Sequence, residues 1–215
     1  MSTVKSKNLQ VGTDATATNN FTIYQPSTPD GTLRIGVGNA DSPTEVAQFT
    51  SSGFSSSGHI LQVVQMVKTD TSSATSASTN TFVDLPGMSV AITPSSSSSK
   101  ILVSFTVSLG FVTGTFHINL VRGSTNIAVG DADGSRIPST ISMRPNGTPY
   151  THDSSPRSYT FLDSPNTTSA TTYKLQGTLG STYSGTMYVN RSAADTNADY
   201  GVRVTSTMTA MEVAG

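Results

Sequence analysis

The residues best suited to hold a cation are the two aspartates in Gly130-Asp131-Ala132-Asp133-Gly134-Ser135. Asp-x-Asp-Gly opens an oxygen-rich calcium loop, but such a loop also needs a bidentate glutamate at its far end. Arg136-Ile137-Pro138 supplies no such ligand, and aspartate and glycine equally suit a tight connection. Asp131 and Asp133 are therefore a weak metal candidate, and the expected reading is a turn with no metal and no cofactor. The three histidines, His59, His117 and His152, each stand alone in sequence. His117 is expected on the polar face of its strand, solvated or hydrogen-bonded to a neighbouring subunit. Neither Gly123-Ser124 nor Gly180-Ser181 extends to the Gly-x-Ser-x-Gly turn of a serine hydrolase. The acids are scattered, with no close pair beside aromatic residues of the kind glycosidases use. No catalytic residue is expected, and the chain does not read as an enzyme. The loop-rich stretch 130–156 carries Arg144, Tyr150, His152 and Asp153, side chains that suit a candidate exposed recognition loop for a sugar or receptor. Asn20, Asn146, Asn166 and Asn190 begin Asn-x-Ser/Thr triplets, expected here as by-products of the serine and threonine content rather than glycan acceptors.

These residues need elements to position them, and composition says which kind. Over 215 residues only 34% are hydrophobic and 12% charged, both low for a globular chain, and serine and threonine fill the gap. Disorder would bring a high net charge and few β-branched residues. The net charge is −1 and valine, isoleucine and threonine are plentiful, so an all-β fold is expected. A near-neutral balance without a basic run argues against nucleic acid as a partner. The longest apolar runs are far too short for a transmembrane helix, and Met1-Ser2-Thr3-Val4-Lys5 lacks the apolar core of a signal peptide. With no cysteine, disulfides and thiolate metal sites are excluded. Such a composition permits synthesis in a reducing host cytoplasm.

Residues 1–58 read as short apolar bursts (Leu9-Gln10-Val11, Phe21 to Tyr24, Leu33 to Val37, Val46 to Phe49) between turn-rich pieces. Strands this short bury little alone, so they are expected to pair with other chains or pack on a larger body. Phe49 to Gly58 reads as a flexible linker. From His59 the character changes. Ile60–Val67 reads as a buried strand, Lys68–Thr81 as a loop, and Phe82–Leu85 and Met88–Thr93 as two strands separated by a Pro86-Gly87 turn. Ile101, Val103, Phe105, Val107 and Leu109 alternate with polar or small residues, and Phe116, Ile118 and Leu120 resume in the other phase. This predicts a hairpin over Lys100–Arg122. Later strands are expected at Ser158–Leu162, Thr172–Leu175, Met187–Asn190 and Val202–Val213, the last central. About nine or ten strands at sandwich-like spacing follow residue 59, and almost no helix is expected.

The order of pieces from residue 59 resembles a family. Ile60–Val67, Thr81-Phe82-Val83-Asp84, Leu85-Pro86-Gly87-Met88-Ser89-Val90, Ile92-Thr93-Pro94 and Lys100 to Phe105 are similar to the C-terminal module of bacteriophage virion proteins, particularly tail fibres of marine and cyanobacterial phages. Leu120 to Thr125, Phe161 to Pro165, Thr171 to Lys174, Tyr188 to Ser192 and Met211-Glu212-Val213 fit the same pattern. The resemblance implies a trimeric jelly roll of the tumour necrosis factor and complement-head type over 59–215. Residues 1–58, with Asp30 to Gly36 and Ala47 to Gly53, resemble fibre shaft or attachment sequence. Taken together, the expectation is an all-β homotrimer, with 1–58 as arm and 59–215 as head, on the surface of a virion. Its function would be structural, as a short tail-fibre or host-contact appendage, with a capsid decoration (cement) trimer and a free glycan-binding lectin as the alternatives. Its partners would be its own copies, other virion proteins through 1–58 and, as a candidate, a host-surface glycan. A trimeric head would bury Ile60–Val67 or the last strand between subunits.

Overall fold

The computed structural model describes residues 8–51, 53–77, 80–112, 114–144, 152–180 and 185–215. Among these the chain is all-β, with a single 3-10 turn at Ala17–Asn19. It divides into two compact units, Met1–Leu61 with Val213–Gly215, and Gln62–Glu212.

The first unit is a five-stranded antiparallel meander of β1 (Asn8–Val11), β2 (Phe21–Tyr24), β3 (Leu33–Val37), β4 (Thr44–Thr50) and β5 (Gly53–Ser55), in that order. The short bursts thus pair within their own chain. The stretch expected as a linker is instead a hairpin. Phe49 lies opposite Phe54, with ring centroids 5.3 Å apart. Two aromatic rings packed at a tilt across a strand pair outweigh the flexibility of the serines and glycine around them. Register gives the sheet two unlike faces. Leu9, Ile23, Ile35 and Ala47 form one row, Val11, Phe21 and Val37 a second, and Leu33, Phe49 and Phe54 a third, all on one side. The reverse side carries Thr22, Arg34 and Gly36. There Thr22 is buried and its hydroxyl donates to the Gly38 carbonyl at 2.9 Å. Gly36 is held so closely under Pro43 and Tyr24 that a methyl group would not fit.

The second unit is a two-sheet sandwich with the alternating strand order of a jelly roll. One sheet holds β6 (Ile60–Lys68), β16 (Ser206–Val213), β9 (Lys100–Gly110), β15 (Gly185–Val189) and β7 (Ser72–Ser76), with β13 (Ser155–Asp163) paired to β9. The other holds β11 (Thr125–Ile127), β10 (Phe116–Arg122), β14 (Thr171–Leu179) and β8 (Val83–Ile92), with β12 (Ile141–Met143) on β10. The core lies between them. Ile101, Val103, Phe105, Val107 and Leu109 of β9 face Phe116, Ile118 and Leu120 of β10, and Tyr173, Leu175, Met187 and Met208 complete it.

Lys100–Arg122 is therefore not a hairpin. Its two strands lie in different sheets and meet through side chains across the core. Phe111 and Phe116, stacked at 5.8 Å, hold the crossing. Alternating apolar residues on two successive strands fit a hairpin and an arch alike, and the buried rings at the bend select the arch. Pro86-Gly87 likewise does not end a strand. β8 runs through it with a register shift against β14, and Gly87 takes φ +79°, so the pair makes a bulge. The loop expected over Lys68–Thr81 contains β7, which pairs with β15 along Ser72–Ser76. The last strand is central, between β6 and β9.

Candidate functional site

The outward face of the six-stranded sheet is the second unit's most unusual surface. On β6, Gln62 turns inward, donating to the Glu212 carboxylate at 2.6 Å and the Thr93 carbonyl at 2.7 Å, and Val64 and Met66 pack on the core. Alternation then sends Val63, Gln65 and Val67 outward; the two valines are 57% and 54% exposed. Gln65 donates to the Thr209 hydroxyl of β16 at 3.0 Å, placing Thr207, Thr209 and Met211 on the same side. β9 adds Leu102, Ser104 and Thr106, and β13 adds Ser158, Thr160 and Leu162. The Thr106 and Ser158 hydroxyls are 2.8 Å apart, and Thr160 donates to Ser104 at 3.2 Å. None of these twelve outward side chains is charged; Lys100, exposed on the same side where β9 begins, puts a charge at the rim. The sheet's middle is a ladder of small hydroxyls, and its margins are valine and leucine, Leu162 being 46% exposed. A partly apolar sheet face with its charge at the rim has the make-up that protein contacts share.

Behind this face the polar groups are closed in on themselves. Glu212 is fully buried and accepts from Gln62 and from the Ser95 backbone N–H and hydroxyl at 2.7 and 2.6 Å. Burial pushes its carboxyl up, but the hydrogen bonds from Gln62 and Ser95 prevail and hold it below its usual value. Asp163 accepts from Arg122 Nη1 at 2.9 Å on each oxygen and from the Tyr173 hydroxyl at 2.7 Å. Burial, with the Asp163 carboxylate adding to it, raises the Tyr173 phenol far above its ordinary value. Asn190, left-handed at φ +65°, donates to the Lys68 and Asp70 carbonyls at 2.8 and 2.9 Å and accepts from Ser206 at 2.5 Å. These clusters fix strand ends; their donors and acceptors are spent on each other. Sequence patterns did not point to them, although Glu212, the one charged residue of the last strand Ser206–Val213, is a signal for the first.

The residues singled out for chemistry are placed apart. Asp133 is exposed and ion-paired with Arg136; Asp131 is exposed beside it. Among the described residues no group of three or more histidine, aspartate or glutamate side chains could hold a metal ion. His59 lies edge-on to Phe54 at 5.9 Å, and His152 edge-on to Tyr200 at 5.1 Å. His117 is not solvated. The segment over 137–140 covers it, with Nδ1 3.3 Å from the Ser139 hydroxyl, and burial lowers its pKa. Asn119, the next polar residue of the same alternation, is buried with it, and its side-chain carbonyl accepts from Thr140 N–H at 3.3 Å. Of the candidate recognition loop, Arg144, His152 and Asp153 are exposed, and Tyr150 lies outside the described residues. Asn20 and Asn190 are fully buried, which rules them out as glycan acceptors in the folded chain. Asn166 is exposed, and Asn146 lies outside the described residues.

The molecule defined by these elements is an all-β sandwich preceded by a five-stranded sheet, with two open sheet faces. No protein-family model matches the chain, and no curated protein matches it. Among solved structures, it is similar to chains from infectious bursal disease virus. The Gt strain structure gives 14% identity and a TM-score of 0.37, covering 91% of this chain and 48% of that one. A VP2 subviral particle gives 12% and 0.36, covering 91% and 48%. The T13 viral particle gives 11% and 0.37, covering 91% and 45%. This chain thus spans about half the length of the chains it is similar to.

Proposed function

We propose that the chain is a structural protein of a bacteriophage particle, three copies of which form a surface appendage of the short tail-fibre, host-contact type. The observation that carries this reading is the outward face of β6, β16, β9 and β13, small-polar and aliphatic with Lys100 at its rim. Three such faces meeting about an axis would cover Val63, Val67 and Leu162 and bring the serine and threonine ladders together. The sequence resemblance to trimeric phage modules supports the same arrangement. Residues 1–58 attach the trimer to other virion proteins, and the sandwich projects outward, with host-surface glycan as its proposed contact. Assembly, not catalysis, is the function.

Native mass measurement at micromolar concentration is expected to give a trimer, and Val67→Lys, which would bury three ammonium groups near the axis, a monomer with an intact sandwich. A parent protein that stays monomeric refutes the reading. Copy number places it on the particle. Densitometry of purified virions against the major capsid protein should give a few tens of copies at most; hundreds would make it a capsid decoration.

A further inference from the structure

The five-stranded sheet of the first unit carries an apolar face whose large side chains are mostly exposed. Leu9 and Phe21 are 58% and 51% exposed, and Val11, Leu33, Phe49 and Phe54 are exposed beside them. Among the described residues, nine of the sixteen exposed large apolar side chains fall within residues 1–61, although this unit is much the smaller. We propose that this face is a second self-association surface, covered by the same face of the other copies in the trimer. The proposal rests on the trimeric reading above and adds where the arms join.

Charge selects the occupant's chemistry. Asp30, Arg34 and Glu45 satisfy one another away from this face, Arg34 lying 2.6 Å from Glu45 and 2.5 Å from Asp30. Among the described residues the face itself offers an incoming charge no partner, so a phosphate backbone or an acidic segment gains nothing there. What fits is another uncharged apolar surface, and each further copy of the chain brings one. The open face is also the one left available, since Pro43 and Tyr24 already close over Gly36 on the reverse side.

Area then favours a copy over an unrelated protein. Five strands about 4.8 Å apart and three rows deep present roughly 400 Å². That is about half of the 800 Å² or so that each partner contributes to a stable complex. A surface this small holds a free partner poorly. Tethered to a sandwich that is already trimeric, it meets its own kind at an effective concentration near millimolar, where a weak contact closes. A hollow of about 640 Å³ lined by Leu9, Ile23, Leu33 and Phe49 leaves room for side chains of the neighbouring copies. The reverse face, the edges and the turns remain for the particle.

The chain has no cysteine, so one introduced thiol reports on one place. Full-length Val11→Cys and Leu33→Cys are compared with Ser42→Cys, an exposed loop position, by maleimide labelling at micromolar concentration. Melting curves matching the parent show that each variant is folded. The expected result is trimer by native mass, with both face thiols labelled at least tenfold more slowly than Ser42→Cys. Face thiols that label at the control rate in a trimeric sample overturn this proposal and leave the trimer reading standing. A monomeric sample overturns both. Protection that appears only in purified virions also overturns it, and assigns the face to a different virion protein.

Discussion

Removing the Asp163 carboxylate tests how the sandwich is locked at the end where β13 and β14 meet. Tyr173 is fully buried, and its hydroxyl donates to Asp163 at 2.7 Å. Asp163→Ala strands that hydroxyl without an acceptor, at about 1–3 kcal/mol. It also frees Arg122, whose side chain is 31% exposed and can turn to water, so that loss is only about 1 kcal/mol. The total is about 2–4 kcal/mol. At roughly 2–4 °C per kcal/mol for a unit of this size, the melting temperature should fall by about 5–15 °C. Tyr173→Phe removes the donor and leaves Asp163 its guanidinium, so it should cost about 1 kcal/mol. The double variant then has no stranded hydroxyl and should fall short of the sum of the singles by about 1–2 kcal/mol. Urea unfolding followed by circular dichroism, at one fixed protein concentration, measures all four proteins. Singles that add within about 0.5 kcal/mol, or an Asp163→Ala variant as stable as the parent, would refute the reasoning.

Other perturbations follow the same logic. Glu212 is held below its usual value of 4.5, so the unfolded chain takes up its proton first as pH falls. The stability it contributes is full above about 4.5 and disappears with acid, and Glu212→Gln should flatten that part of a melting-temperature profile. His117 is lowered from 6.5 by burial. Unfolded chains protonate it first, so stability is full above 6.5 and declines below it, and His117→Asn should remove the decline. If the parent and variant profiles run parallel from pH 7 to 5, His117 is not the group responsible. Gly110 is where the 191–193 backbone crosses β9, and a methyl group there would collide with the Arg191 carbonyl. Gly110→Ala should destabilise by about 2 kcal/mol or more in chemical denaturation. Asn190→Ala loses the bonds to Lys68, Asp70 and Ser206 and keeps a left-handed backbone, so a loss of at least 2 kcal/mol is expected, visible as a lower urea midpoint.

The period-2 run from Ile101 to Leu109 identified β9 and its inward face because alternation is a direct consequence of the pleat. It could not say whether the next strand lies beside β9 or across from it. That depended on Phe111 and Phe116 stacking at the bend, a contact no spacing encodes. β7 escaped notice because Ser72–Ser76 carries only small residues; it is a strand by virtue of its pairing with β15. Phe49 and Phe54 looked like strays in a serine-rich linker until register set them opposite each other. The candidate surface was partly visible in the polar positions Ser104 and Thr106. Its scarcity of charge, with Lys100 at the rim, emerged only when β13 and β16 were placed on either side of β9. His117 and Asn119 show the reverse error, polar alternation that meets a covering loop instead of an open face.

The β6–β16 pairing has a kinetic side. Gln62 and Glu212 bond across a separation of 150 residues, and the central strand of the sheet is among the latest to be placed. Loop closure over such a span is costly before any contact rewards it, which puts the sandwich among slow folders, with times of milliseconds to seconds or longer. Throughout that interval β6 is an unpaired, valine-rich edge, able to bond with the β6 of another chain. The strand proposed to line the trimer contact is thus the place where half-folded copies stick, and refolding yield should drop steeply as protein concentration rises.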